Sequence, residues 1–187
     1  MPAYHSTFPY DPNTDRLIGN FVIMPIKTKF RGPSYPCNSD YDIIDECLDL
    51  FRPNSFFKNF EIKTPSDRLL IYGILFINQC LATIQPHMSY NDAVKALVNL
   101  SLNHFVLPGT PGFPLNSTYQ VPIEDPQQMA LLKSYLAQFR QELAMRLIER
   151  VYTDPKLGVE AEQDKTKNSP SKYWLSFTKR KFMNKSL

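Results

Sequence analysis

The most apolar part of the chain is the stretch from Leu69 to Ile84, which has no polar side when it is drawn as an α-helix. The sequence Ser66-Asp67 after Pro65 is a good N-cap arrangement and predicts where this helix begins. A strand through Ile74 to Ile77 is the competing interpretation, but the apolar run is too long to favour it. A helix that is apolar all round has to be surrounded by other helices, so the pattern predicts a central, enclosed helix.

Three further segments show helical periodicity. The first begins near Ser39-Asp40 and is stopped by Pro53. A weaker one runs from Ser89 to Leu102, and the clearest begins at the N-cap Asp125 and continues to about Tyr152. The predicted apolar faces are as follows: Ile43, Ile44, Cys47, Leu48, Leu50 and Phe51 in the first; Val94, Leu97, Val98 and Leu102 in the second; Met129, Leu132, Leu136, Phe139, Leu143, Leu147 and Val151 in the third, with Lys133, Arg140, Glu142, Arg146, Glu149 and Arg150 largely off the stripe.

Prolines recur from residue 1 to residue 38 and exclude long helices there. Residues 17–30 are apolar and β-rich enough for an extended arm, which Pro25 confines to an edge position. Such an arm lies across its own core or across a partner. Residues 107–122 are rich in Pro and Gly and predict an irregular loop that Phe113 and Leu115 pin to the core.

These elements predict an all-α fold: an irregular array of about five helices, one of them central and enclosed by the others, with an extended N-terminal arm. The single domain comprises a proline-rich arm (1–38), a helical core (39–152), a charged loop (153–169) and an aromatic-basic C-terminal segment (170–187). In the last segment Trp174, Phe177 and Phe182 are expected to anchor a short helix. The hydrophobic fraction of 43% in 187 residues is sufficient for one buried core.

Charge is unevenly distributed along the chain. The net charge is +3, yet the segment from Ser171 to Leu187 holds five cations and no acid, so the rest of the chain is slightly acidic. The three cysteines form no CxxC pair and are expected to be reduced thiols of a cytosolic protein. Residues 69–91 are uncharged, but they include polar side chains that do not suit a membrane-spanning helix.

No motif for nucleotide binding, metal binding or catalysis is present. The three histidines, His5, His87 and His104, are far in sequence from any orienting partner, so we expect no catalytic activity. The acidic residues of the first helix diverge around it, unlike calcium ligands, and are expected to form a solvated face. They are Asp42, Asp45, Glu46 and Asp49.

Two strings interleave aromatic and basic residues, Phe56 to Lys63 and Trp174 to Phe182. Such strings suit a protein interface anchored by rings, and they also suit single-stranded nucleic acid. A third interpretation is that Phe56, Phe57, Trp174 and Phe177 are ordinary core. The candidate partner-binding residues are Phe56, Phe57, Lys58, Trp174, Lys179, Arg180, Lys181 and Lys185.

The chain resembles, over essentially its whole length, the family of 21-kDa subunits (subunit 3) of the actin-related protein 2/3 complex. No single matching string carries a chemical mechanism, so the specificity lies in their number and order. The strings are MPAYHS (1–6), LIGN (17–20), MPIKTKFRGP (24–33), FFKNFEIK (56–63), DRLLIY (67–72), PGTPGFPLN (108–116), YLAQFRQELAMRL (135–147) and PSKYWLSFTKRKFMNKSL (170–187).

The resemblance implies a small helical subunit without catalytic activity or cofactor, since ATP belongs to the actin-related subunits. It implies binding to the actin-related protein 3 subunit and other members of a seven-subunit assembly, attachment to actin filaments, and nucleation of branched filaments. Acidic segments of nucleation-promoting factors are further candidate partners, and the implied location is the cytoplasm, in cortical actin structures; no membrane or nucleic acid is implied. The alternative from a different class is a free-standing nucleic-acid-binding module that uses the basic C-terminal tail.

Overall fold

The computed structural model describes residues 3–153 and 169–187. Nearly all of the predicted charged loop, 153–169, lies outside the described residues. The described part is mostly helical, as expected, with five α-helices and one two-stranded antiparallel sheet. The elements are β1 (Arg16–Ile18), β2 (Phe21–Ile23), α1 (Ile43–Asn54), α2 (Pro65–Thr83), α3 (Tyr90–Leu102), α4 (Pro126–Val151) and α5 (Lys172–Leu175).

Helix α2 is the enclosed centre of the fold, which confirms the prediction. Its residues from Leu69 to Ile77 are all buried, and it packs against β2, α1, α3, α4 and α5. The predicted N-cap is wrong by two residues, because Thr64 caps the helix and Pro65 occupies its first position. The fixed φ of proline suits that position. Across the described ranges, no helix combines the length and the apolarity needed to span a bilayer.

The strictly all-α expectation is wrong in one place, the N-terminal arm. The extended arm predicted over 17–30 includes a hairpin, which was not predicted, in which Leu17 pairs with Val22. Gly19 begins the two-residue turn with a φ of +61°, and a Cβ there would lie 1.8 Å from the carbonyl oxygen of Gln120. Both strands turn buried side chains to α2 and α4, and β2 ends before Pro25. The arm therefore lies across its own core.

The buried face of α3 differs from the predicted one. Leu97 is fully buried, but Val98 and Leu102 are exposed. The buried stripe is Ala93, Leu97 and Ser101, spaced four residues apart. Two of these side chains are small, which allows α3 to lie close against α4. A prediction based on hydrophobicity alone therefore selects the wrong face of α3 as the buried one.

Helix α4 begins at the N-cap Asp125, as predicted, but part of its expected polar flank is buried. The guanidinium carbon of Arg140 lies 4.4 Å from the ring centroid of Phe76 and 4.3 Å from that of Phe105. The Arg140 side chain also donates hydrogen bonds to the carbonyl oxygens of Leu100 (2.8 Å) and Ser101 (3.4 Å). The last turn of α3 and two rings thus stabilise a buried cation that has no carboxylate partner among the described residues.

The acidic face of α1 is not the solvated surface that the sequence predicted. Asp42 and Glu46 are buried. Asp42 caps the helix, which begins at Ile43 and not near Ser39-Asp40, and it pairs with Arg146 of α4. Glu46 accepts hydrogen bonds from the backbone N–H and the hydroxyl of Thr7. The N-terminal arm and α4 cover this face, which the periodicity of α1 alone does not reveal.

Candidate partner-binding surface

The two aromatic-basic strings, more than a hundred positions apart in the chain, come together in the fold. The C-terminal segment runs beside the loop that follows α1, where the N–H of Met183 donates to the carbonyl oxygen of Phe57 (3.4 Å). The side-chain amide of Asn78, on α2, donates to the carbonyl oxygen of Arg180 (2.9 Å). These bonds dock the segment on its own domain.

Three rings of the C-terminal segment anchor it in the core, as predicted. Trp174 stacks on Phe51 with ring centroids 6.1 Å apart, and Phe182 packs edge to face on Phe60 at 5.7 Å. Phe177 also contacts Phe51. The candidate Trp174 is only 5% exposed, so most of its ring surface is already used inside the chain.

Other rings remain exposed around this anchor. Phe56 is 59% exposed, with its ring edge to face on Phe177 and its face 4.6 Å from the guanidinium of Arg180. Phe57 is half-buried beside Tyr4. Tyr173 is also 59% exposed. Tyr173 is not among the residues predicted from the sequence, although its position directly before Trp174 and the aromatic-basic string is a signal that could have found it.

Cations surround the exposed rings. The guanidinium of Arg52 lies 4.2 Å from the ring centroid of Tyr173 and 4.9 Å from that of Trp174. The candidate cations are exposed and form no ion pair within the ranges 3–153 and 169–187. We name this region the aromatic-basic surface: Arg52, Phe56, Phe57, Lys58, Tyr173, Lys179, Arg180, Lys181 and Lys185. Among the described residues, no carboxylate forms an ion pair with these cations, so the positive charge of the surface is not neutralised.

An open cleft of about 460 Å³ borders this surface. Its walls include Ala3, His5, Phe60 and Met183. The Nδ1 atom of His5 lies 2.9 Å from a carboxylate oxygen of the buried Asp67, so this histidine has an orienting partner that sequence distance concealed. The described residues contain no group of three potential metal ligands.

Comparison with known proteins agrees with the resemblance noted in the sequence. A P21-Arc family profile, described as the ARP2/3 complex ARPC3 (21 kDa) subunit, matches residues 1–187. A protein of Saccharomyces cerevisiae named actin-related protein 2/3 complex subunit 3 is 67% identical over the full length of both chains. Proteins of the same name in Schizosaccharomyces pombe and Dictyostelium discoideum are 50% and 41% identical, each over at least 99% of both chains.

The family and these relatives are named as subunits of an assembly and not as enzymes, in agreement with the expectation of no catalytic activity. They give no support to the alternative of a nucleic-acid-binding module. Because the family profile matches every residue of the sequence, the chain belongs to the P21-Arc family, the 21-kDa subunit family of the actin-related protein 2/3 complex.

Proposed function

We propose that the chain is a non-catalytic structural subunit that binds the actin-related protein 3 subunit through the aromatic-basic surface and so supports nucleation of branched actin filaments. The observation that carries the proposal is the convergence of the two strings into one surface with exposed rings and unpaired cations. Family membership supports the assembly context. The corresponding location is the cytoplasm, with the actin cytoskeleton and its cortical structures.

The exposed rings are suited to be interface anchors. Phe56 and Tyr173 each expose more than half of their surface, although both are supported from behind by Phe177. A ring that is held in place loses little conformational freedom when a partner covers it. Full burial of such a side chain contributes about 1.5–3 kcal/mol, and aromatic and arginine residues dominate interface energies.

The cations of the C-terminal segment extend the same surface beyond the rings. Lys179, Lys181 and Lys185 are exposed, on a segment whose backbone is docked through Arg180 and Met183. Exposed, unpaired cations accelerate association with acidic surfaces, and this increase in the association rate becomes smaller as the salt concentration rises. We infer that they face acidic actin, in the filament, or an acidic segment of a nucleation-promoting factor.

Replacing Phe56 and Tyr173 together by alanine is expected to weaken retention of the chain in the assembly roughly a hundredfold, because two anchors of about 1.4 kcal/mol each are lost. The measurement is affinity purification of the tagged full chain, with the stoichiometry of the copurified subunits. A matched control replaces by alanine Leu102 at the end of α3 and Ile123 in the turn before α4, which are 59% and 54% exposed. Equal recovery of the subunits with both variants would contradict the proposed interface.

Reversal of the charges at Lys179, Arg180, Lys181 and Lys185, by substitution with glutamate, is expected to slow branch formation by the assembled complex. The reduction should be largest at low salt and should shrink as salt rises, because the opposing charges are exposed and screened. The measurement is the rate of branch formation at several salt concentrations. Unchanged rates at every concentration would remove this segment from the mechanism.

A further inference from the structure

Three hydroxyl residues of the chain stand directly before a proline: Thr64, Thr110 and Ser169. Serine or threonine followed by proline is the substrate pattern of proline-directed protein kinases. Proline has no N–H and biases the residue before it towards an extended backbone, so such a pair has a distinctive shape in an extended substrate. Kinases of the cyclin-dependent class also prefer a cation three positions after the hydroxyl residue.

Of the three pairs, one has a cation at that position. Lys172 stands three residues after Ser169, whereas the equivalent position holds an aspartate after Thr64 and a phenylalanine after Thr110. Lys172 is exposed and forms no ion pair within the described ranges. Its charge is therefore available to an acidic group of a kinase.

The surroundings of the three hydroxyl groups differ in the same direction. Ser169 is exposed, and its side chain forms no hydrogen bond with another described residue. The hydroxyl of Thr110 donates to the carbonyl oxygen of Leu107 (2.6 Å), and the hydroxyl oxygen of Thr64 is fully enclosed. Phosphoryl transfer requires that the hydroxyl reach the γ-phosphate of ATP in line, which favours Ser169.

The backbone at Ser169 has little to lose when it enters a kinase cleft. Pro170 is buried, so the stretch has to lift from the domain to be bound. Among the described residues, one backbone hydrogen bond joins this stretch to another element, from the N–H of Ser171 to the carbonyl oxygen of Val151 (2.8 Å). Local opening therefore breaks few contacts, and the anchor Trp174 stays in place.

We propose that Ser169 is a phosphorylation site for a proline-directed kinase of the cyclin-dependent class, and that its phosphate regulates the aromatic-basic surface. The Oγ atom of Ser169 forms a bond to the γ-phosphorus of ATP while the bond from that phosphorus to the bridging oxygen breaks. The hydroxyl proton passes to the catalytic carboxylate of the kinase, and ADP leaves. The regulatory effect rests on the proposed function, in which this surface meets acidic partners.

The phosphate lies within electrostatic reach of that surface. Ser169 precedes Tyr173 by four residues, so their Cα atoms are at most about 14 Å apart. The guanidinium of Arg52 lies 4.2 Å from the ring centroid of Tyr173. Phosphoserine carries a charge of about −1.5 to −2 at neutral pH, against five cations and no acid in residues 171–187. Phosphorylation therefore lowers the attraction of this surface for an acidic partner.

The first measurement maps phosphate by mass spectrometry on the complex isolated from cells that produce the chain, with and without an inhibitor of cyclin-dependent kinases. Phosphate is expected on Ser169 and not on Thr64 or Thr110, and its occupancy should fall on inhibition. Lys172→Ala should lower the occupancy several-fold, whereas Lys95→Ala, the loss of an exposed lysine on α3, should not. A Ser169 without phosphate, or equal occupancy in the two variants, would overturn the assignment.

The second measurement compares branch formation by the complex after treatment with a purified cyclin-dependent kinase and ATP, and after treatment with phosphatase. The phosphorylated complex is expected to form branches about threefold more slowly at low salt, with a smaller difference at high salt. A complex with Ser169→Ala should show no difference, which controls for phosphate on other subunits.

Equal rates for the phosphorylated and dephosphorylated complexes would overturn the regulatory inference. The glutamate substitutions of the C-terminal cations separate this failure from a failure of the proposed function. If those substitutions slow branch formation and phosphorylation does not, the regulation by Ser169 alone is wrong. If neither changes the rate, the role of the aromatic-basic surface in branch formation is wrong as well.

Discussion

Replacing Arg146 by alanine is expected to lower the free energy of unfolding by about 3–5 kcal/mol. The guanidinium of Arg146 binds both carboxylate oxygens of Asp42, at 2.6 and 2.8 Å, and the Asp42 side chain is fully buried. Without Arg146, a buried carboxylate is left with no cation. The same guanidinium also contacts Asp45 and Glu142, at 3.1 and 2.8 Å. Within the described ranges no other arginine or lysine side chain forms an ion pair with these three carboxylates.

Arg150 provides the matched control one turn further along α4. It pairs with Asp49 at 2.8 Å, but both side chains are accessible to solvent. A pair of this kind contributes no more than about 1 kcal/mol. Urea unfolding of the full-length chain, followed by circular dichroism, measures both variants. Similar losses for Arg146→Ala and Arg150→Ala would contradict the buried-pair argument.

The pH dependence of stability tests the same pair by a second route. Burial acts to raise the pKa of Asp42, but hydrogen bonds from Arg146, Lys27 and Asp45 and the charge of Arg146 outweigh it and hold that pKa below its ordinary value of 3.8. A lowered pKa in the folded state contributes stability that is present above the ordinary value and is lost as pH falls through the folded pKa.

In the Arg146→Ala variant, burial of Asp42 is no longer offset by a cation, and its protonation then relieves part of the penalty. The difference in the free energy of unfolding between wild type and variant is therefore expected to shrink as pH falls from 7 to about 4. A difference that stays constant over this interval would show that the lost stability comes from packing and not from charge.

The parts of the fold that the sequence predicts are those whose signal is local. Helix α2 is apolar on all sides and is the enclosed centre as predicted, although it begins two residues before the predicted cap, and α4 begins after the predicted N-cap Asp125. The hairpin of β1 and β2 was missed because strands of three residues are too short to show alternation. The local signal for this hairpin is the pair Gly19-Asn20, which is typical of a two-residue turn.

Buried polar side chains were the least predictable feature, because their partners are distant in the sequence. Arg146 reaches Asp42 across 104 positions, and Gln138 reaches Phe30 across 108. Periodicity assigns such residues to a solvated flank, since it describes one helix at a time. Whether they are buried depends on what another segment places over them.

The candidate partner-binding residues also differ in how far they can be predicted from local sequence. Exposed cations such as Lys58 and Lys179 could be named from composition, and they are on the surface. Rings could not be sorted, because Trp174 and Phe56 stand in similar strings but only Phe56 is exposed. That the strings share one surface follows from docking of the C-terminal segment on Asn78 and Phe57, which no local pattern encodes.

The second large loss of stability is expected on substitution of Asp67, which binds the N-terminal arm to α2. Its carboxylate is fully buried and accepts three hydrogen bonds, from the ring nitrogen of His5 (2.9 Å), the N–H of Ser6 (2.8 Å) and the N–H of Lys63 (2.9 Å). Neighbouring residues of the arm are held in the same way, Tyr4 by Asn54 and Thr7 by Glu46. Polar side chains of α1 and α2 thus replace the hydrogen bonds that an extended segment would otherwise make to a sheet.

Asp67→Ala is expected to lower the free energy of unfolding by about 3–5 kcal/mol, because three donors lose a charged acceptor in an enclosed site. Asp92→Ala is the control, since Asp92 occupies the same third position of α3 but is exposed, and its loss should stay within about 1 kcal/mol. Urea unfolding measures both variants, and limited proteolysis with N-terminal sequencing locates the weakened segment. If Asp67 acted mainly through the dipole of α2, the two variants would lose similar stability, and residues 3–8 would stay protected from the protease in both. Early cleavage within residues 3–8 in Asp67→Ala alone would instead identify the Asp67 carboxylate as the group that holds the N-terminal arm on α2.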